Sequence, residues 1–141
     1  MSLQTWREEF YPCSADSEEA LSKPVSHSLR KWEGLRKENL DKHDVYYNGG
    51  MVNERVERRL KDSMPISGET CSLCASQKKR VIDESIKNGV DCSFANLCIE
   101  CPIVKTRDRD CMMEFISFQD TKNPEEMIYL LSLVKEKFPE L

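Results

Sequence analysis

At 141 residues the chain is long enough for one hydrophobic core and short for two; with 39 % hydrophobic and 33 % charged residues it is polar, but not of disordered composition. A net charge of −4 and a pI near 5.3 argue against a broad basic face that grips nucleic acid. The longest apolar runs, such as Ile128–Leu131, are too short to span a bilayer, and Met1–Phe10 lacks the apolar stretch of a signal peptide, so no membrane partner and a cytoplasmic, reducing setting are expected.

Residues 1–24 read as a loosely attached lead-in, in which Trp6, Phe10 and Tyr11 are available to pack on the body. A short helix is expected to begin near Ser14 or Asp16, with Glu18 and Glu19 favourable in its first turn. From Pro24, the spacing of Val25, Leu29, Trp32 and Leu35 predicts a helix over 25–40 with one apolar face. His27 falls off that face and is expected at the surface.

Val45-Tyr46-Tyr47-Asn48-Gly49-Gly50 reads as an extended segment entering a turn. It suits one arm of a hairpin whose other arm starts at Met51. The preferred reading is a turn into a helix over 52–61, because Val52, Val56 and Leu60 lie four apart. Val81, Ile82 and Ile86 predict a short helix, Lys79–Lys87, stopped by Asn88-Gly89. Met112, Phe115 and Ile116 predict another of one or two turns. The clearest element is the last, over 124–138. Asn123-Pro124-Glu125-Glu126 starts it, Met127, Leu130, Leu131, Val134 and Phe138 form its stripe, and Pro139 stops it. The expected fold is mainly α: a single helical domain over 25–141, with short β pieces and a Cys-rich segment, 71–111. An α+β arrangement is the neighbouring alternative.

All the cysteines but Cys13 fall in that segment. Cys71-Ser-Leu-Cys74 and Cys98-Ile-Glu-Cys101 are Cys-x-x-Cys pairs, with residues 75–97 between them. The tight turn of such a pair aims both sulfurs at one point, and two pairs supply the four tetrahedral ligands of a structural zinc. Cys71, Cys74, Cys98 and Cys101 are therefore the predicted ligands, with Cys92 and Cys111 as alternates. Cys13, remote from the rest, is expected as a plain surface or half-buried thiol. A disulfide framework is disfavoured in a reducing compartment. Cys101-Pro102 matches the close of bacterial ferredoxin motifs, so an iron–sulfur cluster is the alternative cofactor, although the run of three cysteines at that spacing is missing. A redox Cys71/Cys74 pair lacks a preceding strand and a βαβ setting.

Signatures of catalysis are mostly missing from the sequence: no Walker loop, no His-Glu-x-x-His, no Gly-x-Ser-x-Gly. Neither His27 nor His43 is followed by the Glu of a zinc deaminase. Arg55, Arg58, Arg59 and Lys61 alternate with Glu54 and Glu57, as on a solvated helix face. Lys78-Lys79-Arg80 beside the first pair could meet nucleic acid if it converged with Arg107 and Arg109, but Asp83 and Glu84 follow at once.

Cys71, Cys74, Cys98, Cys101-Pro102, Cys111 and the amphipathic helix from Pro124 together resemble a group of uncharacterised small cysteine-rich proteins of bacteria and phages. Those proteins often carry Gly inside the second pair, where this chain has Ile99-Glu100. The resemblance covers about half the chain and implies a metal-site fold without an assigned activity. The expected function is a non-enzymatic, metal-stabilised binding or adaptor module acting on another protein. A nucleic-acid-associated module is the runner-up, followed by an iron–sulfur or redox protein.

Overall fold

A computed structural model describes residues 2–55, 63–89, 98 and 100–141. Helices dominate: α1 Leu3–Phe10, α2 Glu18–Ser22, α3 Pro24–Glu33, α4 Lys37–Lys42, α5 Ser72–Asn88, α6 Pro102–Arg107, α7 Met112–Thr121 and α8 Glu125–Lys137. Between α4 and α5 lies a small antiparallel sheet in the order β1–β2–β3: Val45–Asn48, Met51–Glu54 and Met64–Pro65. The mainly α fold with short β pieces is therefore present. Among the described residues no helix is long and apolar enough to cross a membrane.

Residues 2–24, the expected loose lead-in, contribute Leu3, Trp6, Phe10, Ala15 and Ala20 to the buried set. Ser2 caps α1 through a capping box with Thr5, and Ser17 caps α2 by accepting from the Ala20 N–H. The Trp6 indole is wholly buried and donates its Nε1–H to the Gly34 carbonyl at 2.8 Å.

That contact corrects the expected continuous helix over 25–40. The chain breaks after Glu33 and resumes at Lys37. A Cβ at Gly34 would lie 2.5 Å from Phe10 Cγ, so only glycine admits the Phe10 ring. The Gly34 carbonyl goes to Trp6 instead of extending the helical ladder. Tertiary packing from α1 overrides a sound local periodicity.

The expected helix over 52–61 is corrected at its start, where residues 52–54 are a strand. Gly49 and Gly50 both take positive φ, +61° and +77°, and form the two-residue loop of a hairpin. Asn48 pairs with Met51 and Val45 with Glu54. This register buries Val45, Tyr47 and Val52 together, as the period of two requires. β3 then adds to β2 through Met51–Pro65 and Val52–Met64. Val56 and Leu60 lie outside the described residues.

α8 is the spine, lying against α3, α6 and α7. Its N-cap is Pro124, one residue beyond the expected Asn123, whose Oδ1 accepts from the Glu125 N–H at 3.0 Å. Met127, Leu130, Leu131 and Val134 are buried, joined by Ile128, and Phe138 packs half-buried against them. Across this layer the Phe118 ring meets Trp32 edge-on at 4.9 Å and Tyr47 at 4.4 Å. Leu131 is 1 % exposed, so Leu131→Ala is expected to cost about 2–5 kcal/mol in a denaturant melt. An unchanged midpoint would mean that this face is not core.

Candidate metal centre

The site begins at β3. After Pro65, Ser67 caps a 3-10 turn, Gly68–Thr70, by accepting from the Glu69 N–H. The Thr70 hydroxyl donates back to the Pro65 carbonyl at 2.9 Å. The turn delivers Cys71 to the N-cap of α5 and Cys74 to its first turn. The helix thus starts at Ser72, well before the expected Lys79, and ends at Gly89 in the left-handed conformation. Ser72 fixes its start, donating to the Pro24 carbonyl at 2.8 Å and lying 3.3 Å from Ser28 Oγ. Only the first half of α5 is anchored: Ser72, Leu73 and Gln77 are buried, whereas Ile82 and Ile86 face outward.

Two further cysteines arrive from the other side. Cys101 is the N-cap of α6, with Pro102 at the first helical position, and its N–H donates to the Cys98 carbonyl at 3.0 Å. The backbone N–H groups of Ile103 and Val104 point at its sulfur. Cys111 is the N-cap of α7. Arg107 holds the loop before it, donating to the Asp110 carbonyl and pairing with Glu114. Phe115 and Phe118, on α7, back the site with Trp32.

Cys71, Cys74 and Cys111 line one cavity of about 60 Å³ beneath Trp32 and Phe115, bounded also by Lys31 and Leu131. These three thiols are half-buried and Cys101 is buried. The Cys71 sulfur is the most strongly polarised. Its pKa is held well below the usual thiol value, first by a hydrogen bond from the Cys74 thiol. Lys31, the Cys74 N–H and the Ser28 hydroxyl (3.7 Å away) add to this against the opposing effect of burial. Cys74 is pushed up, by donating to Cys71, by burial, and by the nearby charges of Cys71, Cys111 and Cys101. Burial is the main force raising Cys101 to about 11 and Cys111 to about 12. Cys71, Cys74, Cys101 and Cys111 thus lie within electrostatic reach of one another.

Of the predicted ligands, Cys71, Cys74 and Cys101 converge, and so does the alternate Cys111. Cys98 is exposed, and Cys92 lies outside the described residues. The described thiols are all free, Cys13 among them and half-buried. Among the described residues, no three His, Cys, Asp or Glu side chains are gathered tightly enough to hold one ion as they stand. The fit is one of donor chemistry: Cys71, Cys74 and Cys111 line the same cavity. Sequence spacing ranked Cys98 above Cys111 because it cannot weigh exposure.

His27, expected at the surface, is buried. Its Nε2 lies 2.8 Å from the Cys13 carbonyl and its ring meets Tyr11 edge-on, while Nδ1 has no partner. Burial chiefly lowers its pKa. His43 is also buried, between Thr5 Oγ1 at 2.9 Å and Glu9 Oε2 at 2.6 Å, and ties α1 to the end of α4. Hydrogen bonds from Lys42 and then His43 hold the Glu9 carboxyl below its usual value.

The basic residues are largely engaged nearby. Lys79 pairs with Asp83 at 2.8 Å, Arg80 with Glu84 at 3.0 Å, and Arg107 with Glu114. Comparison with protein families, with curated proteins and with solved structures finds no match for this chain.

Proposed function

We propose that this chain is a non-enzymatic binding or adaptor module whose helices are closed around a thiolate-held metal, with zinc as the first candidate and Cys71, Cys74, Cys101 and Cys111 as the ligands. One observation carries the reading: half-buried cysteines from the starts of α5 and α7 line a single cavity, and a third helix start bears the buried Cys101. Four protein thiolates fill every position of a tetrahedral ion and leave none for a reacting water, which makes the metal a staple. The protons on Cys101 and Cys111 would leave as the metal enters, so retention is expected to weaken as pH falls. A role toward another protein is supported by the exposed apolar side chains Met112, Met113 and Ile116 on α7 and Tyr129 and Leu133 on α8.

A second reading has its own support. The cavity of about 60 Å³ is several times the ~10–15 Å³ that admits one water. The space therefore suits a group of several atoms, such as an iron–sulfur cluster held by the same thiolates. Elemental analysis and the visible spectrum of protein purified anaerobically under reducing conditions separate the two. One equivalent of zinc in a colourless protein supports the first, and iron with sulfide in a brown protein the second. Less than about half an equivalent of any transition metal would overturn both.

A further inference from the structure

Lys31 lies on α3 and is 1 % exposed. Its ammonium donates to the Thr70 carbonyl at 2.9 Å, lies 3.5 Å from Thr70 Oγ1 and sits 5.6 Å from the centre of the Trp32 ring. Among the described residues it meets no carboxylate. An ammonium removed from water without an anion is costly, and one carbonyl with the face of an indole offsets only part of that. The same side chain borders the cavity that Cys71, Cys74 and Cys111 line.

We infer that Lys31 is the built-in counter-ion of the thiolate-held group, a positioning residue whose fixed positive charge neutralises part of the surplus negative charge that four cysteines bring to the site. The inference rests on the proposed metal centre. Four thiolates carry four negative charges and a divalent ion returns two, so a zinc site is left with a surplus of two. An iron–sulfur core of charge two leaves the same surplus, so the role of Lys31 does not depend on which group is bound. In a mostly apolar, half-buried cavity such a surplus is poorly tolerated unless a cation is close, because screening there is weaker than in water. Burial lowers the pKa of Lys31, while the thiols of Cys71, Cys74 and Cys111 act to raise it, which is the mutual support expected of an ion and its counter-ion. The Thr70 carbonyl aims the ammonium, and Thr70 is itself held to β3 through Pro65.

The test compares wild type with Lys31→Met, of similar length and apolar, and with Lys31→Gln, polar and uncharged. Each is loaded with zinc under reducing conditions and titrated with a competing chelator, and each is melted in excess chelator. Both variants are expected to hold zinc at least tenfold more weakly. In chelator, Lys31→Met should melt close to the wild-type temperature, since without the metal the buried ammonium has only the Cys71 sulfur to offset its burial. A merely structural lysine would give the opposite pattern, a metal-free melt that falls with zinc affinity unchanged, and this overturns the inference while leaving the metal centre standing. Should neither variant fold, wild-type protein with ¹⁵N-labelled lysine decides: the Lys31 Nζ resonance is expected to shift on zinc loading, and an unmoved signal overturns the inference. If wild type takes up no metal at all, the metal centre and the counter-ion fall together.

Discussion

Cys74→Ser and Cys111→Ser should each strip the protein of its metal and lower its melting temperature by roughly 10 °C or more, as expected for a loss of about 3 kcal/mol in a domain of this size. Cys98→Ser and Cys13→Ser should leave both quantities unchanged. The contrast follows from position: Cys74 and Cys111 line the cavity, whereas Cys98 is exposed and Cys13 belongs to the α1–α2 connection. Because an unfolded chain offers no preformed site, metal affinity is also folding free energy, and an incomplete ligand set forfeits much of it. The measurement is a set of four paired melts, with and without chelator, alongside metal content. Chelator should bring wild type down to the Cys74→Ser curve and leave that variant where it was. A Cys98→Ser protein that loses its metal while Cys111→Ser keeps it would restore the ligand set read from the Cys-x-x-Cys spacing. Four coincident melts, indifferent to chelator, would remove the staple altogether.

Trp6→Ala should cost about 3–5 kcal/mol, a large part of the total stability of an ordinary domain. The indole is wholly buried, its centroid lies 5.9 Å from that of Phe10, and its N–H serves the Gly34 carbonyl at the break between α3 and α4. Truncation opens a cavity and strands that carbonyl at once. Trp6→Phe separates the two effects: it keeps most of the volume and should cost about 1–3 kcal/mol, chiefly for the unpaired carbonyl. Equilibrium denaturation in urea gives both values. A Trp6→Ala midpoint within experimental error of wild type would mean that residues 2–24 fold apart from the rest.

These two results bear on what the sequence could show. α8 was legible almost to the residue because its start signal, stripe and stop agree, with no competing contact. α3 and the hairpin were misread for the same reason as each other: a periodicity of three or four is compatible with several outcomes, and a distant residue selects among them. Phe10 selects the break at Gly34. The pairing of Val52 with Tyr47 and Met64 selects a strand at Val52, where the spacing to Val56 and Leu60 spelled the start of a helix. At the proposed metal centre, Cys71 and Cys74 line one cavity, while Cys101, a member of the second Cys-x-x-Cys pair, is buried. Cys111, the alternate, lines the same cavity because of how α7 packs on α8 and because Arg107 grips the preceding loop, neither of which spacing encodes. Lys31 left no trace in the pattern. In a helix rich in basic residues, nothing local marks the one that turns inward.

α5 has 17 residues and so runs about 25 Å, yet among the described residues the buried side chains of this helix, Ser72, Leu73 and Gln77, all lie in its first turns. It is a cantilever clamped at the cysteines. Fraying can begin at Asn88 and travel inward past Ile86 without disturbing a single contact of Cys71 or Ser72. Amide exchange along this helix is therefore expected to slope, faster toward the exposed Ile86 end and approaching the rate of global unfolding at the clamp. The far half can bend, shift or be remodelled by whatever touches it while the thiol end stays fixed.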